Sequence, residues 1–278
     1  AYPDGICAGV RLRYAVEPEP LDTAGAVRFA AEELGVNDTF VVVNGDVLTD
    51  LDLTGLVAFH RSVGAEATIA LHPVEDPSRF GVVPTDPEGR VVAFVEKPPR
   101  DEAPTNQINA GTYVFEPSVL ERIPLGERIS IERVTFPAIV ADGVLYAWSD
   151  ENYWLDTGTP EAYLQAHRDI LEGRRRPGFL RHQVIDGSYI DPSATIHETA
   201  RIEGSVIDAG CLVGPGAEVI DSVLLPGARV EAGASVHASI LGKGASVEIG
   251  AQLSEVTVLG DGATVLPGEV VVAGRVEA

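Results

Sequence analysis

The stretch Phe40-Val41-Val42-Val43-Asn44-Gly45-Asp46 carries the residue types best suited to chemistry. Four consecutive β-favouring apolar residues predict a strand buried on both faces, as in the middle of a parallel sheet with helices above and below. Such a strand delivers the residues after it to the carboxyl edge of the sheet, where ligands of open α/β folds bind. Here those residues include a small one, which lets a phosphate approach, and then a carboxylate, Asp46, that can hold a cation. Asn-Gly is also a strong hairpin signal, so Val41 to Val43 turning back into Val47-Leu48 is the competing reading. The downstream spacing favours strand, loop and helix: Asp50-Leu51-Asp52-Leu53 leads into apolar positions 53, 56, 57, 60 and 63, with Gly64 as the stop.

The elements that must position this loop can be taken in chain order. Residues 11 to 16 alternate like a strand, and Glu17 to Gly25 form a rigid loop feeding a helix whose apolar face is Val27, Ala30, Ala31 and Leu34, ended by Gly35. Ala67, Ile69 and Leu71 predict a further strand. Pro87-Glu88-Gly89 separates two more, Phe80 to Val83 and Val91 to Val95. Asn109 to Phe115 and Val144 to Trp148 complete the strands. Thr159, Pro160 and Glu161 read as a helix start, with Thr159 as N-cap, Tyr163, Ala166, His167 and Ile170 as the buried stripe and Gly173 as the close. Strands alternating with helices indicate a doubly wound α/β domain. Arg174-Arg175-Arg176-Pro177 reads as a solvated joint.

Beyond the joint the text becomes periodic. Serines recur at 188, 205, 222 and 239, and aliphatic residues fall at 190, 196, 202, then 207, 213, 219, then 224, 230, 236, then 241, 247, 253. A further turn continues at Leu259, Val265 and Val271 after one extra residue near Val256. Two six-residue steps and one five-residue step, with small residues at the corners, predict a three-sided parallel β-helix in which each coil buries its neighbour.

Composition narrows the function. A formal net charge of −22 repels a polyanion, so nucleic acid is excluded as a partner, and an anionic ligand would need a metal ion and a few local cations. Cys7 and Cys211 lie far apart and form neither a metal cluster nor a disulfide framework, which suits a reducing cytoplasm. No run is long or apolar enough to span a membrane and no secretory pattern is present, so no membrane partner is expected. The chain lacks methionine and opens on the loop-like Ala1-Tyr2-Pro3-Asp4-Gly5, so residue 1 is expected not to be the native beginning.

Six stretches together resemble the sugar-nucleotide pyrophosphorylases, most of all their mannose-1-phosphate guanylyltransferase-like branch. They are Glu17-Pro18-Glu19-Pro20-Leu21 with Thr23-Ala24-Gly25, Asn44-Gly45-Asp46, Phe80-Gly81-Val82-Val83, Glu96-Lys97-Pro98, Asn109-Ala110-Gly111, and Trp154-Leu155-Asp156-Thr157-Gly158-Thr159-Pro160. The match covers nearly the whole chain. It implies a Rossmann-like nucleotidyltransferase α/β domain over 1–173, incomplete at its N-terminus, a linker over 174–187, and a left-handed parallel β-helix over 188–278. The implied reaction joins a nucleoside triphosphate to a sugar 1-phosphate and releases pyrophosphate.

By the same resemblance Asp46 and Asp156 would hold Mg²⁺, and Lys97 would neutralise the sugar's phosphate; these three are the implied catalytic residues. Glu96 and Asn109 would bind sugar hydroxyls, and Gly81 would let the backbone come close. Pro20, Leu21, Thr23, Ala24, Gly25, Asn44, Gly45 and Gly111 complete the implied substrate-binding set. Against these roles stand a capping role for Asp156 beside Thr159, and an exposed strand end for Glu96-Lys97. The Glu17 carboxylate can accept from two adjacent donors, which guanine offers and uracil and thymine do not, favouring GTP; the resemblance implies mannose 1-phosphate as the sugar phosphate.

The family's Gly-rich start, a Pro-Lys-Pro after it and the first strand are absent from these residues, and Asp22 stands where the family has glycine. Either the chain is part of a longer enzyme, or it is a non-catalytic regulatory or scaffold relative that binds sugar nucleotides. A hexapeptide-repeat acyltransferase is the third reading, but His197 and His237, the histidines of the repeat, are expected to point outward. His60, His72, His167 and His182 read as core or surface residues. The β-helix is expected to supply a homo-oligomer contact or a docking face.

Overall fold

The computed structural model describes residues 5–7, 9–175 and 187–278. The chain divides into two compact units, Ala1–Trp154 and Leu155–Ala278. The first begins with β1 (Ile6–Cys7), β2 (Val10–Arg11) and α1 (Asp22–Leu34), followed by β3 (Phe40–Val43), β4 (Val47–Thr49), α2 (Leu53–Val63) and β5 (Ala67–Pro73). Next come β6 (Gly81–Val82), β7 (Val95–Glu96), β8 (Gln107–Phe115), α3 (Ser118–Glu121), α4 (Phe136–Ala141) and β9 (Leu145–Ser149). Both expected glycine stops hold, since Gly35 and Gly64 take the left-handed conformation that ends α1 and α2. The hairpin alternative fails, because β3 pairs with β8 and the chain runs on through β4 into α2, whose N-cap Asp52 accepts from the Gly55 N–H at 2.9 Å.

β8 is the spine of a mixed sheet. β5 runs antiparallel along one side of it, β3 and β6 share the other, and β9 lies parallel to β5. Ile69, Leu71, Tyr113 and Phe115 face one core with Phe136 and Ile139, while Ala70, Ala110 and Val114 face a second with Leu56. Two-sided burial therefore belongs to β5 and β8. β3 departs from the expectation of a central parallel strand. It pairs antiparallel, β8 is its sole strand partner among the described residues, and Val41 and Val43 are 40% and 49% exposed. A short apolar run records that a strand will form but not its place in the sheet. The strands expected at 80–83 and 91–95 shrink to β6 and β7. Pro84 and Pro87 lack ladder N–H groups, and Val91 makes only an isolated bridge to Thr85.

The second unit contains α5 (Pro160–Leu171) and the β-helix. Thr159 caps α5 as expected, its hydroxyl accepting from the Ala162 N–H at 3.2 Å. The buried stripe is shifted: Leu164, Ala166 and Asp169 are inside, and Tyr163, His167 and Ile170 are half-buried. Buried Asp169 is held by Gln165 and Arg174, so Arg174 is an ion-pair partner and not merely a solvated joint. Arg176, Pro177 and His182 lie outside the described residues.

The β-helix is of the left-handed type and follows the predicted repeat. Its three faces are stacks of six, five and five parallel strands, in register across coils as Tyr189 to Val206, Leu212 to Arg229 and Val219 to Val236. Ile207, Val213, Val219, Leu224, Val230, Val236, Leu241 and Val247 point inward and are fully or almost fully buried. Burying each such side chain contributes about 1.5–3 kcal/mol. One corner carries a ladder: the N–H groups of Ser205, Ser222 and Ser239 each donate to the hydroxyl of the serine one coil before, at 3.0–3.2 Å. The extra residue is absorbed at that corner by Glu255 and Val256, both at positive φ, and Thr257 takes the serine's place.

Candidate active site

The loop after β3 is anchored by β8. The Asn44 N–H donates to the Gly111 carbonyl at 2.8 Å, and the Asn44 side chain lies over Gly111 so closely that a Cβ there would fall 2.9 Å from Nδ2. Gly111 also has φ +73°, so glycine serves both the backbone and the close approach. Its N–H donates to Asn109 Oδ1 at 3.0 Å, and Asn109 Nδ2 donates to the Tyr113 hydroxyl at 2.9 Å. The Asn109 amide therefore braces β8 where its register with β5 shifts. Tyr113 is buried, and burial pushes its phenol well above the ordinary range. Asn44, Gly45 and Asp46 are exposed, and the structure brings Asn44, Asn109 and Gly111 together.

Gly81 and Glu96 face one another across β6 and β7. A Cβ on Gly81 would lie 2.6 Å from the Phe94 ring and 3.1 Å from Glu96 Oε2, so packing by itself requires glycine there. Lys97 Nζ lies 3.7 Å from Glu96 Oε1, with the lysine side chain 62% exposed. Lys97 also sits at φ +49°, a conformation that costs a non-glycine residue of order 1 kcal/mol or more. Its N–H donates to the Phe80 carbonyl at 3.0 Å, which holds the turn. Trp154 borders the same region: its indole N–H donates to the Ala110 carbonyl at 2.9 Å, and the ring stacks on His72 and meets Phe80 edge-on.

Leu21, Thr23, Ala24 and Gly25 open α1. Asp22 occupies the left-handed region at φ 62°, where aspartate is among the few side chains tolerated, and its Oδ1 accepts the Thr23 N–H at 2.8 Å. The Ala24 and Gly25 N–H groups donate to the Ile129 carbonyl at 2.9 and 3.2 Å. The first turn of α1 is thus closed by the chain's own acceptors. A Cβ on Gly25 would fall 2.4 Å from the Glu127 carbonyl oxygen. Just upstream, a cleft of about 560 Å³ is lined by Ala15 to Pro20 and by Ala26, Phe29 and Ala30 of α1. Glu17 is one of its lining residues, and the Glu17 Oε1 atom is buried without a hydrogen-bond partner.

In the second unit Asp156 is half-buried and its Oδ1 accepts the Gly158 N–H at 2.8 Å. The capping of α5 falls to Thr159 and not to Asp156. Among the described residues no three His, Cys, Asp or Glu side chains gather into a metal cage. Magnesium needs none, being held by one or two carboxylates together with substrate phosphates, and carboxylates at 46 and 156 are donors of the right hardness.

Sequence reasoning missed the segment from Ile129 to Glu132, which grips the start of α1; its partners lie about a hundred residues away and no local pattern marks them. Of the histidines, His60 is buried between Thr68 (2.8 Å) and Glu116 (3.1 Å), a core role. His72 bonds the Asp150 carbonyl, and His197 is exposed beside Thr199.

A mixed α/β sheet with these loops, followed by a hexapeptide-type β-helix, defines the class: the chain belongs to the Nucleotidyl transferase family, whose model matches residues 1–173. The model of the GMPPB C-terminal domain matches residues 184–276. Among similar proteins, the mannose-1-phosphate guanylyltransferase of Mycobacterium tuberculosis is 45% identical over 200 residues, covering 69% of this chain and 55% of that protein. The mannose-1-phosphate guanylyltransferase catalytic subunit beta of Drosophila pseudoobscura pseudoobscura is 40% identical, covering 70% of this chain and 53% of that protein. The mannose-1-phosphate guanyltransferase of Schizosaccharomyces pombe is also 40% identical, over 69% and 54%. The chain spans about half the length of the curated relatives it matches.

Proposed function

We propose that the chain transfers a guanylyl group from GTP to mannose 1-phosphate, giving GDP-mannose and pyrophosphate. The observation that carries the choice of nucleotide is the buried, unpartnered Oε1 of Glu17, a residue lining a cleft large enough for a base. A buried acceptor without a donor costs about 1–3 kcal/mol, which a ligand presenting adjacent N–H groups offsets. The names of the relatives support the sugar.

A phosphate oxygen of mannose 1-phosphate attacks the α-phosphorus of GTP, a new P–O bond forms, and the bond to the departing pyrophosphate breaks. The nucleophile is already ionised, so no base is required; positioning and charge neutralisation supply the catalysis. Asp46 and Asp156 are the magnesium ligands in this reading, and the ion, when bound, neutralises phosphate charge. Lys97, one of the chain's two lysines, approaches the sugar phosphate from its exposed turn. Glu96 and Asn109 bind sugar hydroxyls, while Pro20, Leu21, Thr23, Ala24, Gly25, Asn44, Gly45, Gly81 and Gly111 shape the substrate surface through their backbone. We divide the chain into a transferase part over 1–173, a linker over 174–187 and the β-helix over 188–278. The β-helix serves homo-oligomer assembly, and the location is the cytoplasm. Within the described residues no helix is long and apolar enough to cross a membrane.

Asp22 favours a second reading, a non-catalytic relative that binds sugar nucleotides, because it places a carboxylate at the start of α1 where the resembling family has glycine. A pyrophosphate-release assay separates the two. Each nucleoside triphosphate is tested against mannose 1-phosphate and glucose 1-phosphate, with this chain and with any longer protein that contains it. GTP with mannose 1-phosphate gives the highest kcat/KM; a higher value with UTP or dTTP overturns the choice of nucleotide. Asp156→Asn lowers magnesium-dependent turnover roughly a hundredfold or more with the fold intact. Wild-type rates from that variant remove Asp156 from the site.

A further inference from the structure

Five hydrogen bonds tie the opening of α1 to the segment from Ile129 to Glu132, more than 100 residues away. The Ile129 N–H donates to the Leu21 carbonyl, and the Ala24 and Gly25 N–H groups donate to the Ile129 carbonyl. The remaining two pass through one side chain: the Thr23 hydroxyl accepts from the Ile131 N–H at 2.8 Å and donates to Glu132 Oε2 at 2.9 Å. Both capacities of that hydroxyl are therefore engaged by the fold.

Glu132 is itself held. Its Oε2 also accepts from the Ser130 hydroxyl at 2.7 Å, and Ser130 caps the wide helical turn Ile131–Thr135 on which Glu132 stands, accepting the Arg133 N–H. π-type turns of this kind are rare and recur at functional sites. The charges of Glu132 and Glu96 add to burial in raising the Tyr113 phenol, whose hydroxyl receives Asn109.

We propose that Glu132 is a positioning residue that latches Thr23 and so fixes the nucleotide-binding stretch Leu21–Gly25, without touching the reacting atoms. The inference rests on the functional reading above for the identity of the nucleotide stretch, but the latch itself can be detected without turnover.

The test compares Glu132→Ala, Glu132→Gln and Ser130→Ala with the wild type, by steady-state kinetics in both substrates and by amide hydrogen exchange over residues 21–25. Glu132→Ala raises the KM for GTP about tenfold, the loss of about 1.4 kcal/mol expected of a hydrogen bond to a charged acceptor. The kcat and the KM for mannose 1-phosphate stay within about twofold, and exchange at 21–25 quickens about tenfold. Glu132→Gln, which keeps an acceptor oxygen, restores most of the GTP affinity, and Ser130→Ala, which removes one support of Glu132 and the cap of its turn, shifts the KM for GTP and the exchange at 21–25 in the same direction as Glu132→Ala but by less. Thr23→Val removes the same bond from the other side, together with the one from the Ile131 N–H, and quickens exchange at 21–25 at least as much as Glu132→Ala does. A uniform rise in both KM values accompanied by a lower unfolding temperature, or unchanged exchange at 21–25, overturns the latch. A wild-type protein that turns over no nucleotide while Glu132→Ala still quickens exchange overturns the functional reading and leaves the latch standing.

Discussion

In the β-helix a residue's surroundings recur from coil to coil, whereas in the α/β unit the side chains around the candidate site have partners drawn from distant parts of the chain. Leu224 sits directly above Ile207 and below Leu241, and all three are fully buried by the same geometry. Asn44 over Gly111, or Thr23 against Glu132, has no such echo. Redundant packing supplies stability that is spread along a stack. Single-copy contacts supply a defined arrangement of unlike groups, which is what a site requires.

The contrast can be broken most forcefully from the β-helix side. Leu241→Ala removes a fully buried side chain between two coils and costs about 2–5 kcal/mol. Both tryptophans, Trp148 and Trp154, lie in the first unit, so their fluorescence midpoint in denaturant stays fixed while the far-UV circular dichroism transition moves to lower denaturant. Movement of both together would show that the two units unfold as one.

A finer comparison uses two glycines with nearly the same backbone. Gly111 and Gly216 have φ +73° and +67°, but a Cβ at 111 meets Asn44 at 2.9 Å while one at 216 meets nothing within 4 Å. Gly216→Ala therefore costs only the conformational strain, about 1 kcal/mol. Gly111→Ala costs at least twice as much by thermal unfolding and, by displacing Asn44, also lowers turnover in the guanylyl-transfer assay. Equal losses at the two sites would remove Asn44 from its place over Gly111.

The smallest effects are in acid and separate the units by pH. Burial holds the His167 imidazole below its ordinary 6.5. The folded second unit consequently binds fewer protons than the unfolded chain, and its stability falls as pH drops through that value, by about 1 kcal/mol or less. In the first unit the Arg122 guanidinium, bonding both oxygens of Glu66 at 2.6–2.8 Å, holds that carboxyl below its ordinary 4.5. Its stabilisation is present above pH 4.5 and is lost as pH falls below it. Unfolding temperatures between pH 7 and pH 3 register these as two separate declines, and His167→Gln removes only the upper one.

How much of the molecule is legible in the sequence differs between the same two regions. The β-helix is legible to the residue, including the extra position near Val256, because burial there depends on local spacing alone. In the α/β unit the stops at Gly35 and Gly64 and the strands at 40–43, 67–73, 107–115 and 145–149 are legible too, but the place of β3 is not, the strand expected over 11–16 stops at Arg11, and those expected at 80–83 and 91–95 shorten to two residues each. A run such as Phe40 to Val43 encodes the preference for extended backbone and not the identity of its neighbours. For Asp22, the sequence shows only a departure from the family. The structure shows the positive φ that explains why glycine suits the position and how aspartate occupies it.

The sequence by itself determined the periodic coils, the order of strands and helices, the family, and the stretches able to form a site. Only the tertiary structure decided that Asn109 braces β8, that the Thr23 hydroxyl is spent on Ile131 and Glu132, and that Glu17 is left with an unanswered oxygen. The reason is physical. Repeats and caps are set by neighbours within a few positions, whereas a polar partner across the fold is selected by three-dimensional proximity, which spacing along the chain does not encode.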